Sequence, residues 1–160
     1  MILLSLSIIA FIILFDQVTK WWFVANFAMF ESREIIPNVF YWTRKFNTGA
    51  SWGILEGQIG LFIVISILAM GFFLYLLKDA IQKNQPWHII GLSLMIGGTL
   101  GNFIDRVRLG GVVDFIDVYI FGYDFPVFNV ADSALNVGLV VFFIGVFLFE
   151  HVSRQTSEPN

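Results

Sequence analysis

Apolar residues run through this chain in four long blocks. They cover about residues 1–25, 59–77, 87–103 and 132–149. A bilayer span needs about 20 mostly apolar residues, so each block predicts a transmembrane helix. Asp16 and Lys20 interrupt the first block, and the third turns glycine-rich near its end, at Gly97, Gly98 and Gly101. The first block has no basic n-region and no A-x-A site, so it reads as a span and not as a cleaved signal peptide.

Two long connections separate these blocks, about residues 26–58 and 104–131. The first contains "VFYWTRKFN", an aromatic and β-branched run that predicts a strand or hairpin, with Pro37-Asn38 as the turn. The second contains "GGVVDFIDVY", which is also strand-like. The link from Lys78 to Pro86 is short and polar, and the tail from His151 is expected to fray. The predicted fold is a mainly α membrane protein, a single domain over residues 1–160. It is a four-transmembrane-helix bundle with a small extracytoplasmic β-rich region.

Composition supports this class. The chain is 58% apolar and only 13% charged, whereas about a quarter of a soluble protein is charged. The net charge of −3 shows no basic patch for nucleic acid. The absence of cysteine excludes disulfides, thiolate metal sites and a Cys nucleophile. With His88 and His151 the only histidines, a Ser-His-Asp triad or a multi-His metal site is not expected.

Four spans put both termini on one side and both long loops on the other. Cytoplasmic loops carry an excess of Lys and Arg. Lys78, Lys83 and Arg154 lie on the terminal side, and Arg33, Arg44, Lys45, Arg106 and Arg108 on the loop side. A plain count therefore puts the long loops in the cytoplasm, unless those arginines are committed to a site. Trp21, Trp22, Trp42, Trp52 and Trp87 fit interfacial belts.

Ionisable residues in or beside spans point to function and need a partner. Asp16 and Lys20 stand at i, i+4 in "FDQVTK", either neutralising one another or facing a loop or a substrate head group. In "FNTGASWG", Asn47, Gly49, Ala50 and Ser51 would let a backbone come close. Asn102, Asp105 and Arg106 share a helix face in "GGTLGNFIDR", where Arg106 is suited to pair with Asp105. In "FNVADSAL", Asn129 and Asp132 open the last span, and a lone Asp132 there is by default an N-cap. Asp114 in "VVDF" has no basic neighbour in sequence, so desolvation should raise its pKa. Asp117, three residues on, would point to the other face of a strand. Two carboxylates brought together share one proton and form a general acid–base pair.

Taken together, "DQVTK", "NTGASWG", "GNFIDR", "VVDF" and "FNVAD", in this order and across nearly the whole chain, make the sequence resemble the bacterial lipoprotein signal peptidases, or signal peptidase II. The resemblance implies a metal-free aspartyl endopeptidase without cofactor. Such an enzyme would cleave diacylglyceryl-modified prolipoproteins just before the lipidated cysteine. It implies Asp114 and Asp132 as the catalytic dyad. Asp16, Lys20, Asn47, Gly49, Asn102, Asp105, Arg106, Asn129 and Ala131 would bind substrate or support the site, while Asp117 receives no role. It also implies a monomer among membrane lipids of the bacterial inner membrane. Both termini would be cytoplasmic and the active site would face outward, against the plain charge count. The alternatives are a Ser/Lys protease using Ser51 and, from another class, a small proton-coupled transporter. The transporter is disfavoured by the lack of an internal repeat.

Overall fold

A computed structural model describes residues 1–50 and 54–157, with side chains as far as 148. Its helices are α1 (Ile2–Asn26), α2 (Ile59–Gln82), α3 (Pro86–Leu109) and α4 (Val130–Ser157). Each holds a stretch long and apolar enough to cross a membrane. Strands β1 (Ser32–Ile36), β2 (Phe40–Asn47), β3 (Val112–Ile120) and β4 (Tyr123–Asp124) form one antiparallel sheet in that order.

Helix α3 is the centre of the bundle. Within its apolar stretch 61% of residues are buried, against 6% in α2. Small residues allow this. A Cβ added to Gly91 or to Gly138 would come within 2.7 Å of the other's carbonyl oxygen. A Cβ on Gly98 would strike the Ala131 carbonyl. The α3 and α4 backbones therefore approach closely, as small residues permit between membrane helices. Ser93 and Thr99 satisfy their buried hydroxyls on the carbonyls of Ile89 and Met95. Outward positions such as Leu3, Leu68 and Phe147 are exposed, which suits a helix bathed in acyl chains.

The helix ends follow local chemistry. Pro86 sits in the first turn of α3, and Gly110 closes it in the left-handed conformation at φ 74°. Arg106 and Arg108 occupy the last turn, where cations suit the helix dipole. Arg44 donates to the carbonyls of Val24 and Phe27 at the end of α1.

The hairpin expected at Pro37-Asn38 joins β1 to β2, with Asn38 at φ 58°. The sheet is fastened to the bundle by Phe23 of α1, which stacks on Phe115 of β3 at 4.2 Å between centroids. Trp42 packs on both rings, so it belongs to this core and not to an interfacial belt. Trp21, Trp22 and Trp87 are exposed, and Trp52 lies outside the described residues. The pairing of β2 with β3 is interrupted between Trp42 and Lys45.

Several boundaries differ from the sequence pattern. Helix α3 continues to Leu109, which carries Asp105 and Arg106 inside the helix, because Asp105 finds a cation in α1. Helix α2 runs on to Gln82, and Lys83 beyond it pairs with Asp79 at 2.7 Å. Helix α4 begins at Val130 and continues to Ser157, through most of the tail expected to fray.

Candidate active site

The site is built on a buried ion cluster. Lys20 lies 2.9 Å from Asp16 and 3.1 Å from Asp105. Its third contact is the Asn102 side-chain oxygen at 3.0 Å. A buried ion group holds only when the remaining lone pairs are also met. Here they are: Asp16 accepts the Ala131 N–H at 2.9 Å, and Asp105 accepts the Val113 N–H at 3.2 Å and the Gln17 amide at 2.9 Å. One cluster thus ties α1, α3, the start of β3 and the first turn of α4. Gly101 makes room for it, since an added Cβ would meet Asp16 Oδ2 at 2.6 Å and the Ala131 Cβ at 3.1 Å.

Above this cluster lies a chain of side-chain amides. Asn102 donates to Asp132 Oδ1 at 2.7 Å. Asn129 donates to Asp114 Oδ1 at 2.7 Å and to the Asn102 oxygen at 3.1 Å. Its own side-chain oxygen accepts the Asp132 N–H at 3.0 Å, and Asp132 Oδ2 accepts the Asn129 N–H at 3.2 Å. That reciprocal pair is a capping box. Asn129 is therefore the N-cap of α4 and Asp132 sits at its third position, which corrects the reading of Asp132 as the cap. Asn47 donates to Asp114 Oδ2 at 3.1 Å and is itself fixed by the Gly49 N–H at 2.9 Å. Gly49 is needed there because a Cβ would come within 2.8 Å of the Ile54 carbonyl.

Asp114 and Asp132 both line a cleft of about 770 Å³. Its walls include Phe62, Ile65 and Phe73 of α2 and Leu135 and Val137 of α4. Both helices pack chiefly on α3 and not on one another, so the cleft lies between them. A second cleft of about 420 Å³ shares Asp114 and Asn47 with the first. It is lined by Lys45, Glu56 and Asp124. Asp114 stands where the apolar and the charged cleft meet.

Burial pushes the Asp114 carboxyl up from the usual 3.8 to about 7, and the neighbouring Asp132 charge adds to the rise. Hydrogen bonds from Asn129 and Asn47, with the charge of Lys20, pull it partly back. Two carboxyls brought together in this way are suited to share a proton and so to act as acid and base at once.

The sequence candidates are thus brought together. Lys20 neutralises Asp16, one of the two readings that the sequence left open, and faces no head group, being only 3% exposed. Asp105 pairs with Lys20 and not with Arg106. Arg106 lines the apolar cleft with its guanidinium 5.0 Å from the centre of the Phe62 ring. Asp117, expected on the other strand face from Asp114, is buried and accepts the Thr43 hydroxyl at 2.5 Å. Ser51 lies outside the described residues. Gln17, absent from the sequence candidates, bridges Asp16, Asp105 and the Gly101 carbonyl. Its signal was a further polar residue inside an apolar span.

Comparison with known proteins gives one consistent result. A family model described as signal peptidase (SPase) II matches residues 8–148. The chain is 48% identical over 148 residues to a lipoprotein signal peptidase of Anoxybacillus flavithermus, covering 92% of this chain and 87% of the relative. It is 43% identical over 142 residues to one from Staphylococcus aureus, covering 89% and 86%. A solved bacterial membrane enzyme, determined in meso at 2.3 Å resolution, superposes with a TM-score of 0.84 at 42% identity, covering 98% of this chain and 93% of that one. Another, at 1.9 Å resolution, gives 0.79 at 45% identity, covering 89% and 91%.

Proposed function

The chain belongs to the signal peptidase II family, and from that premise we propose that Asp114 and Asp132 hydrolyse the peptide bond before the lipidated cysteine of diacylglyceryl-modified prolipoproteins. The protein is a multi-pass membrane enzyme, an aspartic peptidase of the lipoprotein signal peptidase type. The observation that carries the dyad assignment is the shared Asn129, which touches both carboxyl-bearing residues at once.

The mechanism uses one water and one proton on the pair. The ionised carboxylate takes a proton from the water as its oxygen attacks the scissile carbonyl carbon. The protonated carboxyl gives its proton to the carbonyl oxygen. The tetrahedral intermediate then returns that proton to the dyad as the carbonyl re-forms. The C–N bond breaks while the first carboxyl protonates the leaving nitrogen. The dyad ends with one proton, as it began, and no covalent intermediate forms. Asn47, Asn102 and Asn129 hold the carboxyls in place, and the ion cluster beneath holds Asn102 through Lys20.

The two clefts suit the two halves of such a substrate. The apolar cleft between α2 and α4 receives the signal peptide and the acyl chains from within the bilayer. Arg106 and Gly49 are among the residues that line this cleft. The charged cleft carries the residues after the cysteine away from the membrane. In this proposal the enzyme works as one copy in the inner membrane, with its active site facing outward and both termini in the cytoplasm. Arg33 and Arg44, which weigh against that orientation in a plain count, are engaged at the end of α1. Arg33 pairs with Glu31 and lies over Phe27, and Arg44 binds two carbonyls.

The test is to replace Asp114 and Asp132 singly by Asn, confirm folding by thermal unfolding in detergent, and follow cleavage of a diacylglyceryl-modified prolipoprotein. Both variants are expected to be inactive. Substantial turnover by a folded variant would sink the assignment.

A further inference from the structure

Asp117 is a buried carboxyl that the mechanism above does not use. One oxygen accepts the Thr43 hydroxyl at 2.5 Å, and the other has no hydrogen-bond partner among the described residues. Thr43 lies 2.7 Å from the Ser32 hydroxyl of β1. A hydroxyl has one proton to give, and that of Thr43 goes to Asp117. Ser32 is then the donor to Thr43. The three form a short relay across β1, β2 and β3.

Its place in the sheet gives it significance. Side chains alternate along a strand, so residues four apart share a face and residues three apart do not. Thr43 and Asn47 are four apart in β2. Their partners Asp117 and Asp114 are three apart in β3. An unbroken pairing cannot make both contacts. The register shift between Trp42 and Lys45 resolves this: Trp42 pairs with Ile116 and Lys45 with Asp114, so β2 has one more residue than β3 across the gap. Such a bulge re-aims the side chains that follow it. Without it, Asn47 would turn away from Asp114.

We propose that Thr43 and Asp117 are positioning residues for the peptidase reaction: their hydrogen bond holds the β2 bulge, and the bulge aims Asn47 at Asp114. This rests on the dyad reading above, because Asn47 matters only if Asp114 reacts. The relay touches neither substrate nor the reacting atoms.

The experiment uses the full-length enzyme in detergent with a diacylglyceryl-modified prolipoprotein. Thr43→Val is expected to lower kcat about tenfold, with KM changed less than about twofold, as befits the loss of one hydrogen bond felt in the transition state. Thr43→Ser keeps the hydroxyl and should stay within about twofold of the parent. In an Asn47→Ala background, Thr43→Val should change kcat by less than about twofold, because the two act through one contact. Parent-level kcat in Thr43→Val, an effect on KM alone, or the same tenfold loss on top of Asn47→Ala would overturn the proposal. Should Thr43→Val fail to fold, Asp117→Asn and Asp117→Ala make the same comparison. The first keeps an oxygen for Thr43 and should retain kcat; the second removes it and should not, and equal kcat in the two would overturn the proposal. Failure of the dyad reading is visible separately, as turnover by Asp114→Asn.

Discussion

Asn129 donates its side-chain amide to the Asp114 carboxylate across 2.7 Å, from the position that caps α4. A helix start and a contact of the proposed dyad are thus the same residue. Asn129→Ala removes the cap and leaves two buried oxygens short of a donor. It should cost about 1–3 kcal/mol of stability and lower kcat well beyond what that loss explains. Asn129→Ser retains a capping oxygen but cannot reach both partners. It should recover the unfolding temperature more than the activity, and equal recovery of both would separate Asn129 from the dyad.

The raised Asp114 pKa sets a pH dependence. In the unfolded chain this carboxyl releases its proton near 3.8, and in the folded protein near 7. The folded state therefore holds the proton more tightly. The stability gained from it is complete below 3.8 and is lost as pH rises through about 7. Activity should fall over the same upper limb as the shared proton leaves. Because the Asn47 hydrogen bond lowers the Asp114 value, Asn47→Ala should move that limb of kcat/KM to higher pH. An unmoved limb, with chemistry shown to limit the rate, would count against this.

Lys20 is the one cation among the side chains of the buried cluster. Lys20→Met would leave Asp16 and Asp105 buried without it. Breaking a buried pair in this way costs about 3–5 kcal/mol. Thermal unfolding in detergent should show that loss, and cleavage should fall with it as Asn102 loses its anchor. A Lys20→Met variant as stable as the parent would contradict the role given to the cluster.

Gly98 lies where α3 meets the first turn of α4. An added methyl group strikes the Ala131 carbonyl, next to Asp132. Gly98→Ala should therefore reduce stability by about 1–3 kcal/mol, the usual cost of overpacking, and depress kcat. Gly60→Ala is the control, since a Cβ there meets nothing within 4 Å.

Much of this was legible in the sequence. The four spans follow from apolar length alone, and the hairpin from Pro37-Asn38 and its flanking strands. The end of α3 is less legible: the apolar run stops near residue 103, while the helix continues to Leu109 and closes at Gly110. The partners of the polar residues were not legible. Arg106 beside Asp105 is its obvious partner in sequence, but adjacent helical residues do not face one another, and Lys20 from another helix pairs with it. Asp132 reads by default as the cap because acidic residues favour helix starts; only the reciprocal bonds show that Asn129 begins the helix. Asp117 lies in none of the motif blocks that carry the resemblance, so the sequence offers it no role, and its partner Thr43 stands in another strand. One extra residue in β2 changed every face after it, and a bulge leaves no mark in hydropathy.

The contact between Asp16 and the Ala131 N–H joins residues 115 positions apart. Chains are made from the N-terminus, and domains form as they emerge. Asp16 leaves the ribosome long before Ala131, and Asp114 before Asn129, so neither has its full set of partners until the last helix is placed. A nascent copy lacks Asp132 through most of its synthesis. The enzyme enters the bilayer unarmed, and becomes a peptidase only with the arrival of its final membrane segment.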